Sequence, residues 1–254
     1  MRIGLALSGG GARGIAHLGM LRALEEHQVK FACISGTSVG AILGAMYAQG
    51  MRPAEIMDAI IQTRIFRNLR PAWTLRGLLS MESIHSLLMQ FVPHNTFEGL
   101  KLPLTIAATD LEKGKPYYFR SGPLIPALMA SSCVPGMFSP VVLNGTSYVD
   151  GGVTDNFPVR AIRKDCEYIV GLHCNPVIQA NPARNFKNVL ERTLLLAINC
   201  NAERSKVDCD LIVEPLELGA FSTFEVTRAR ELEEIGYAYT KAFLTHERVS
   251  VLRS

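Results

Sequence analysis

The sequence is short of charge. Of its 254 residues, 19% are Asp, Glu, Lys or Arg, while 48% are hydrophobic. That balance excludes global disorder and calls for a sizeable buried core. The net charge of +3 is too small to point to nucleic acid. Two long stretches, Phe31 to Met51 and Ser121 to Val149, hold no charged residue at all. Each exceeds the roughly 20 residues that a membrane-spanning helix needs. Neither suits one. The first contains Gly36, Gly40, Gly44 and Gly50 with polar Ser35, Thr37 and Ser38; the second is cut by Pro123, Pro126, Pro135 and Pro140. Both read as buried structure beside a pocket.

Cysteine is sparse. Cys33, Cys133, Cys166, Cys174, Cys200 and Cys209 include no C-x-x-C pair. His173 beside Cys174 lacks any second ligand pair, so no metal site suggests itself. The start Met1-Arg2-Ile3-Gly4 does not read as a signal peptide. Reduced thiols and a cytoplasmic location are therefore expected. Internal repeats, low-complexity tracts and linkers are also lacking, so a single domain over 1–254 is expected.

What is present is an alternation of strand and helix signals. Arg2 to Leu7, Val29 to Ile34, Leu104 to Ala108, Tyr117 to Arg120, Val141 to Leu143, Tyr168 to His173 and Leu211 to Val213 read as strands, with Lys113-Gly114-Lys115 as a turn. Ile15 to His27, Ala41 to Gln49, Pro53 to Gln62, Glu82 to Val92, Leu124 to Ser132, Phe186 to Arg204 and Glu225 to His246 read as helices. Pro53 suits the first position of its helix. The last helix is amphipathic, with Leu232, Ile235, Tyr239 and Phe243 on its apolar face. The class is α/β, a layered domain around a largely parallel sheet.

Between the second strand and the second helix stands Gly36-Thr37-Ser38-Val39-Gly40. G-x-S-x-G suits a sharp strand-to-helix turn that lifts a serine hydroxyl above a sheet. Glycines two positions either side let the strand and helix backbones nearly touch. The helix N-terminus behind the serine would favour a developing oxyanion. The plainer alternative is that Ser38 only caps a helix.

Gly9-Gly10-Gly11-Ala12-Arg13-Gly14 follows the first strand and opens a helix. It satisfies G-x-G-x-x-G, the dinucleotide fingerprint. That reading needs an acidic residue at the end of the second strand, where Ile34-Ser35 stands instead. The alternative is an amide cradle for an oxyanion. Consecutive glycines turn their amides inward without side chains in the way, and Arg13 adds a positive charge. A plain glycine turn is the third possibility.

A serine nucleophile needs a base. His17, His27, His85, His94, His173 and His246 lack catalytic context, although His173 follows Asp150 in the chain order of an α/β-hydrolase triad. Asp150-Gly151-Gly152 is the stronger candidate. A carboxylate within reach of Ser38 and shielded from water could take its proton directly. Asp-Gly is also an ordinary turn.

In this order, these pieces resemble the patatin-like phospholipase family. The resemblance takes in Gly9 to Gly14, Gly36 to Gly40 and Asp150-Gly151-Gly152. It extends to Ala130-Ser131-Ser132-Cys133-Val134-Pro135 with Phe138 and Pro140, and to Asn156-Phe157-Pro158. With Ala16-His17-Leu18-Gly19, the glycine loop looks most like compact bacterial members and the esterase domain of neuropathy target esterase. It spans roughly residues 3 to 173. It implies a three-layer fold with a largely parallel central sheet and helices on both faces. It implies hydrolysis of fatty acyl esters of phospholipids, lysophospholipids or related lipids, with neither metal nor cofactor. By the resemblance Ser38 is the nucleophile and Asp150 the base of a dyad without histidine. Gly10, Gly11 and Ala12 are the oxyanion donors beside Arg13. Gly9, Gly14, Gly36, Gly40, Gly151 and Gly152 support the motifs; Gly152 stands where some members have Ala, a difference expected to matter little. A non-catalytic lipid-binding or regulatory protein, or an acyltransferase using the same dyad, stays open as an alternative.

One further stretch stands apart. Between Asp58 and Glu82 no acidic residue occurs, while Arg64, Arg67, Arg70 and Arg76 interleave with Ile65, Phe66, Leu69, Trp73, Leu75, Leu78 and Leu79. This mixture suits docking of residues 64–79 at an anionic membrane surface, on the inner face for a cytoplasmic protein. The competing reading folds the apolar residues into the core.

Overall fold

Ile3-Gly4-Leu5-Ala6-Leu7 is buried at every position. An unbroken buried run of this kind belongs to a strand covered on both faces of a parallel sheet. In the computed structural model, which describes residues 1–62, 81–179, 186–223 and 227–253, it forms β1 (Ile3–Leu7), an interior strand of the sheet. The other strands are β2 (Cys33–Thr37), β3 (Leu104–Asp110), β4 (Lys115–Phe119), β5 (Val141–Leu143), β6 (Thr146–Asp150), β7 (Tyr168–Leu172) and β8 (Leu211–Val213). The helices are α1 (Ala16–Glu26), α2 (Val39–Ala48), α3 (Pro53–Gln62), α4 (Met81–Phe91), α5 (Leu124–Ser131), α6 (Phe186–Lys206), α7 (Ala229–Phe243) and α8 (His246–Arg253). The stretch 64–79, expected to dock at a membrane, lies outside the described residues.

Among the described residues the strand order is β5-β6-β3-β2-β1-β7-β8, with β4 also paired to β3. β3, β2, β1, β7 and β8 run parallel. β4, β5 and β6 are antiparallel additions at the β3 end. The core divides by the two-residue period of the strands. Leu5, Leu7, Ile34, Val170 and Leu172 pack with Leu18, Leu21, Leu43 and Leu232. Their alternates Ala6, Cys33 and Ile169 pack with Phe157, Val159, Ile162 and Ala202 of α6. One sheet thus separates two apolar layers, with helices on both faces.

Several boundaries differ from the sequence reading: β4 takes in Lys115, expected in a turn, β6 is a strand not expected there, and β2 and the last helix change most informatively. β2 starts at Cys33, not Val29, and runs through Gly36 to Thr37. Its limits follow its neighbours: Gly4 of β1 faces Cys33, and Ala107 of β3 faces Thr37. Propensity placed the strand on the branched residues; pairing moved it toward the glycine turn. The last helix also divides, with α7 ending at Phe243 and α8 beginning at His246; the expected start at Glu225 lies outside the described residues.

The buried face of α7 is turned from the expected one. Leu232 is fully buried, but so are Gly236 and Thr240, while Ile235, Tyr239 and Phe243 sit at the edge. Small residues explain the turn. A Cβ on Gly236 would lie 2.2 Å from the Ala16 carbonyl oxygen, and one on Gly19 of α1 would lie 1.8 Å from the Glu233 carbonyl oxygen. The two helix backbones meet directly. Arg22 then reaches Glu233 at 2.7 Å and Glu234 at 3.0 Å, its guanidinium 3.8 Å from the Tyr237 ring centre. Gly236→Ala should therefore act as overpacking and destabilise the chain by about 1–3 kcal/mol. Chemical denaturation of the variant beside the wild type measures it, and an unchanged midpoint would contradict the backbone contact.

Candidate active site

Ser38 sits at the junction of β2 and α2 with φ 53° and ψ −124°. A non-glycine residue there costs on the order of 1–3 kcal/mol and persists only where its surroundings hold it. The holding parts are visible. A Cβ on Gly36 would lie 2.6 Å from the Gly40 carbonyl, and one on Gly40 would lie 2.5 Å from the Leu7 carbonyl oxygen. The strand and helix touch through these two glycines, as the motif requires. The Ser38 N–H donates to Ser131 Oγ at 2.8 Å, and Ser131 Oγ in turn donates to the Ala107 carbonyl at 2.7 Å. No side-chain cap bond runs from Ser38 to α2. Its hydroxyl is therefore not the helix cap of the plainer reading, and the residue remains partly exposed.

Asp150 reaches the same place from the opposite direction. β2 lies parallel to β3 and β6 antiparallel to it, so their C-terminal ends approach head-on. Thr37 pairs with Ala107 and Asp150 with Ala108, adjacent residues of β3. β4 occupies the other edge of β3 along both segments, so β2 and β6 share one edge. The Asp150 backbone is pinned by its N–H to the Cys133 carbonyl at 2.9 Å and by Thr109 Oγ1 on its carbonyl at 2.9 Å. Oδ1 accepts from the Gly152 N–H at 2.7 Å, and Oδ2 is buried without a protein hydrogen bond. Burial pushes the carboxyl from 3.8 up to about 6; the Gly152 N–H and the Ser38 hydroxyl pull it back only in part. Gly152 is tighter than the sequence suggested. A Cβ there would lie 2.9 Å from Asp150 Oδ1 and 3.0 Å from Asn156 Oδ1, so alanine would have to displace the carboxylate.

The glycine loop runs across the elbow. A Cβ on Gly9 would stand 3.3 Å from Ser38 Cβ, and one on Gly14 would stand 2.3 Å from Val39 Cγ1. The expected donor set divides here. The Gly10 and Gly11 amides make no hydrogen bond to a protein acceptor among the described residues. The Ala12 N–H is already spent on the Thr223 carbonyl at 2.8 Å, which corrects its expected place among the free donors. Arg13 is buried and binds carbonyls of the neighbouring segment, Phe221 through Nε at 2.7 Å and Gly219 through Nη2 at 3.3 Å. It secures the loop from behind.

His173 and His17 stand aside. His173 Nδ1 faces Glu214 Oε1 at 2.7 Å, not Asp150, and burial holds its pKa below the ordinary range. Phe157 packs edge-on to its ring at 5.3 Å. His17 Nε2 bonds the Ser8 carbonyl at 2.9 Å, and burial lowers it to about 4. Sequence reasoning missed the supports Ser131, Asn156, Asn175 and Asn201. Ser131 and Asn156 lay within quoted motifs without a role; Asn175 and Asn201 carried no signal, because their partners are backbone atoms distant in sequence.

The raised Asp150 pKa has a stability consequence. The folded chain disfavours the carboxylate, so its burial costs nothing below the unfolded pKa of 3.8. The cost builds between there and about 6 and is full above that. Asp150→Asn should stabilise the chain by on the order of 2–3 kcal/mol at pH 7–8. The gain should vanish near pH 4, as thermal melts across that range would register; a gain independent of pH would contradict the burial cost.

Comparison with known proteins bears on the family and the fold. The family model described as Patatin-like phospholipase matches residues 5–163. An uncharacterized NTE family protein of Mycobacterium tuberculosis is 33% identical over 220 residues, 82% of this chain and 60% of that protein. Lysophospholipase nte1 of Aspergillus fumigatus is 25% identical over 279 residues, 95% of this chain and 18% of that protein. The chain therefore spans well under two thirds of the length of these curated relatives. In fold it is similar to VipD from Legionella pneumophila, with a TM-score of 0.55 at 14% identity over 98% of this chain and 67% of that one. Among the described residues no helix is long and apolar enough to cross a membrane. With the family model covering more than half of its length, glycine loop, serine elbow and first strands included, this chain belongs to the patatin-like phospholipase family.

Proposed function

We propose that the chain is a serine acyl-ester hydrolase in which Ser38 is the nucleophile and Asp150 the general base. The observation that carries this reading is the convergence of β2 and β6 on one edge of β3. It brings a strained, partly exposed serine to a buried carboxyl with one unpaired oxygen. A carboxyl raised to about 6 is ionised at neutral pH yet basic enough to accept a proton during attack. Ser38 Oγ would attack the acyl carbonyl while its proton passes to Asp150. The oxyanion would be held by the Gly10 and Gly11 N–H groups. Collapse would return the proton to the leaving alkoxide and leave an acyl-serine. Water, deprotonated by the same carboxylate, would then cleave that ester. His173 is committed to Glu214, which supports a dyad over a triad. The family and the lysophospholipase relative of Aspergillus fumigatus favour fatty acyl esters of phospholipids or lysophospholipids as substrates.

A fluorophosphonate probe should label wild-type protein at Ser38 and leave Ser38→Ala unlabelled. Hydrolysis of a lysophospholipid should fall with a single-proton limb near pH 6 as Asp150 is protonated. Asp150→Asn should stay folded and lose about 10²–10⁴-fold in kcat, whereas His173→Ala should keep its pH limb. Absence of labelling in folded wild-type protein, or near-full activity of Asp150→Asn, would overturn the assignment.

A further inference from the structure

The Gly9–Gly10 peptide is held from one side by side chains that the mechanism above does not use. Asn175 Nδ2 donates to the Gly9 carbonyl, with Asn156 Nδ2 and the Cys174 thiol each at 3.4 Å from the same oxygen. In a planar trans peptide the N–H of the next residue points opposite to the C=O. Fixing the Gly9 carbonyl therefore fixes the Gly10 N–H, turned away from Asn175. Gly10 is a buried residue whose N–H has no protein acceptor among the described residues. On either side of the Gly10–Gly11 pair the donors are satisfied: the Gly9 N–H donates to the Asn156 carbonyl at 3.0 Å, and the Ala12 N–H to Thr223. Buried backbone donors are rarely left unpaired, and leaving one so costs about 1–3 kcal/mol. The Gly10 N–H is thus left for an acceptor other than the protein.

We propose that Asn175 is a positioning residue for the oxyanion hole: its grip on the Gly9 carbonyl presents the Gly10 N–H to the oxyanion formed at Ser38. The inference rests on the acyl-ester hydrolase reading above. Asn175 is fully buried just beyond β7 and lies outside the segment 5–163 matched by the family model. Its amide also limits the loop. A Cβ on Gly10 would meet Cys174 Sγ at 2.3 Å, Asn175 Oδ1 at 2.9 Å and Asn175 Nδ2 at 3.1 Å, so Asn175 and its neighbour Cys174 both press on the peptide. A carboxylate at this position would repel the Gly9 carbonyl and attract the Gly10 N–H. Asn175→Asp should therefore turn the peptide over and withdraw the donor, which Asn175→Ala would only loosen.

The test compares wild type, Asn175→Ala and Asn175→Asp as full chains on p-nitrophenyl butyrate. Turnover is normalised to sites titrated with a fluorophosphonate, so partial unfolding lowers the titre and leaves kcat intact. Each variant is also inhibited with an alkyl trifluoromethyl ketone, which forms an oxyanion on the serine. Loss of one oxyanion donor costs about 10²–10³-fold in kcat. Asn175→Asp should approach that loss and Asn175→Ala should fall short of it, with KM changed by less than about threefold. The ketone inhibition constant should weaken in step with kcat/KM. A merely structural asparagine would lower the titre or the melting temperature without that parallel. Variants with wild-type kcat per titrated site, or a kcat loss with unchanged ketone inhibition, would overturn this inference alone. A wild type that neither labels nor hydrolyses would overturn the hydrolase reading and this inference together.

Discussion

The site depends on one edge of one strand. β3 offers the same edge to β2, which runs parallel to it, and to β6, which runs against it. Two strands that share an edge in opposite directions must meet end to end. Their last residues then fall at adjacent positions of β3, Ala107 and Ala108. The backbone ladder thus sets the distance between Ser38 and Asp150 before any side chain is chosen. It also explains the small residues around the junction. A Cβ on Gly151 would lie 2.3 Å from the Ala107 carbonyl oxygen and 2.9 Å from Thr37 Cγ2, so two converging chain ends leave no room for one.

That convergence buries a carboxyl, and burial gives it both its use and its cost. A solvated aspartate near pKa 4 is a weak base at neutral pH. Removal from water raises Asp150 to about 6, while the Gly152 N–H and the Ser38 hydroxyl keep it from going higher. The same desolvation opposes folding whenever the group is ionised. On the proposed reading, base strength and stability are set against each other at a single residue, a common pattern where active sites perturb pKa values.

Around this pair lies a shell of polar side chains that fix backbone. Thr37 Oγ1 donates to the Asp155 carbonyl, Asn201 Nδ2 to Gly152, and Asn201 Oδ1 receives the Asn156 N–H. His17 holds the Ser8 carbonyl, and Arg13 holds the carbonyls of Phe221 and Gly219. Each ties a strand, a helix or the glycine loop to backbone near the C-terminal end of the sheet. Preorganisation of this kind lets backbone amides act on a developing charge without moving first.

The sequence by itself determined the local pieces. Gly36, Ser38 and Gly40 suit a tight strand-to-helix turn, and a Cβ on Gly36 would strike the Gly40 backbone four residues on. The alternation of strands and helices, the start of α3 at Pro53 and the motifs that carry the family resemblance were legible for the same reason: each rests on neighbours along the chain. Tertiary structure decided what depends on distant partners. It moved β2 onto the glycine turn, because its register is set by β1 and β3. It rotated α7 onto Gly236, because Gly19 of α1 lets the backbones meet. It removed Ala12 from the free donors, because Thr223 supplies an acceptor more than two hundred residues away. Asn175 became visible only when β7 laid it against the glycine loop. A side chain whose partner is a backbone atom leaves no trace in the partner's residue type, so only the folded chain could reveal it.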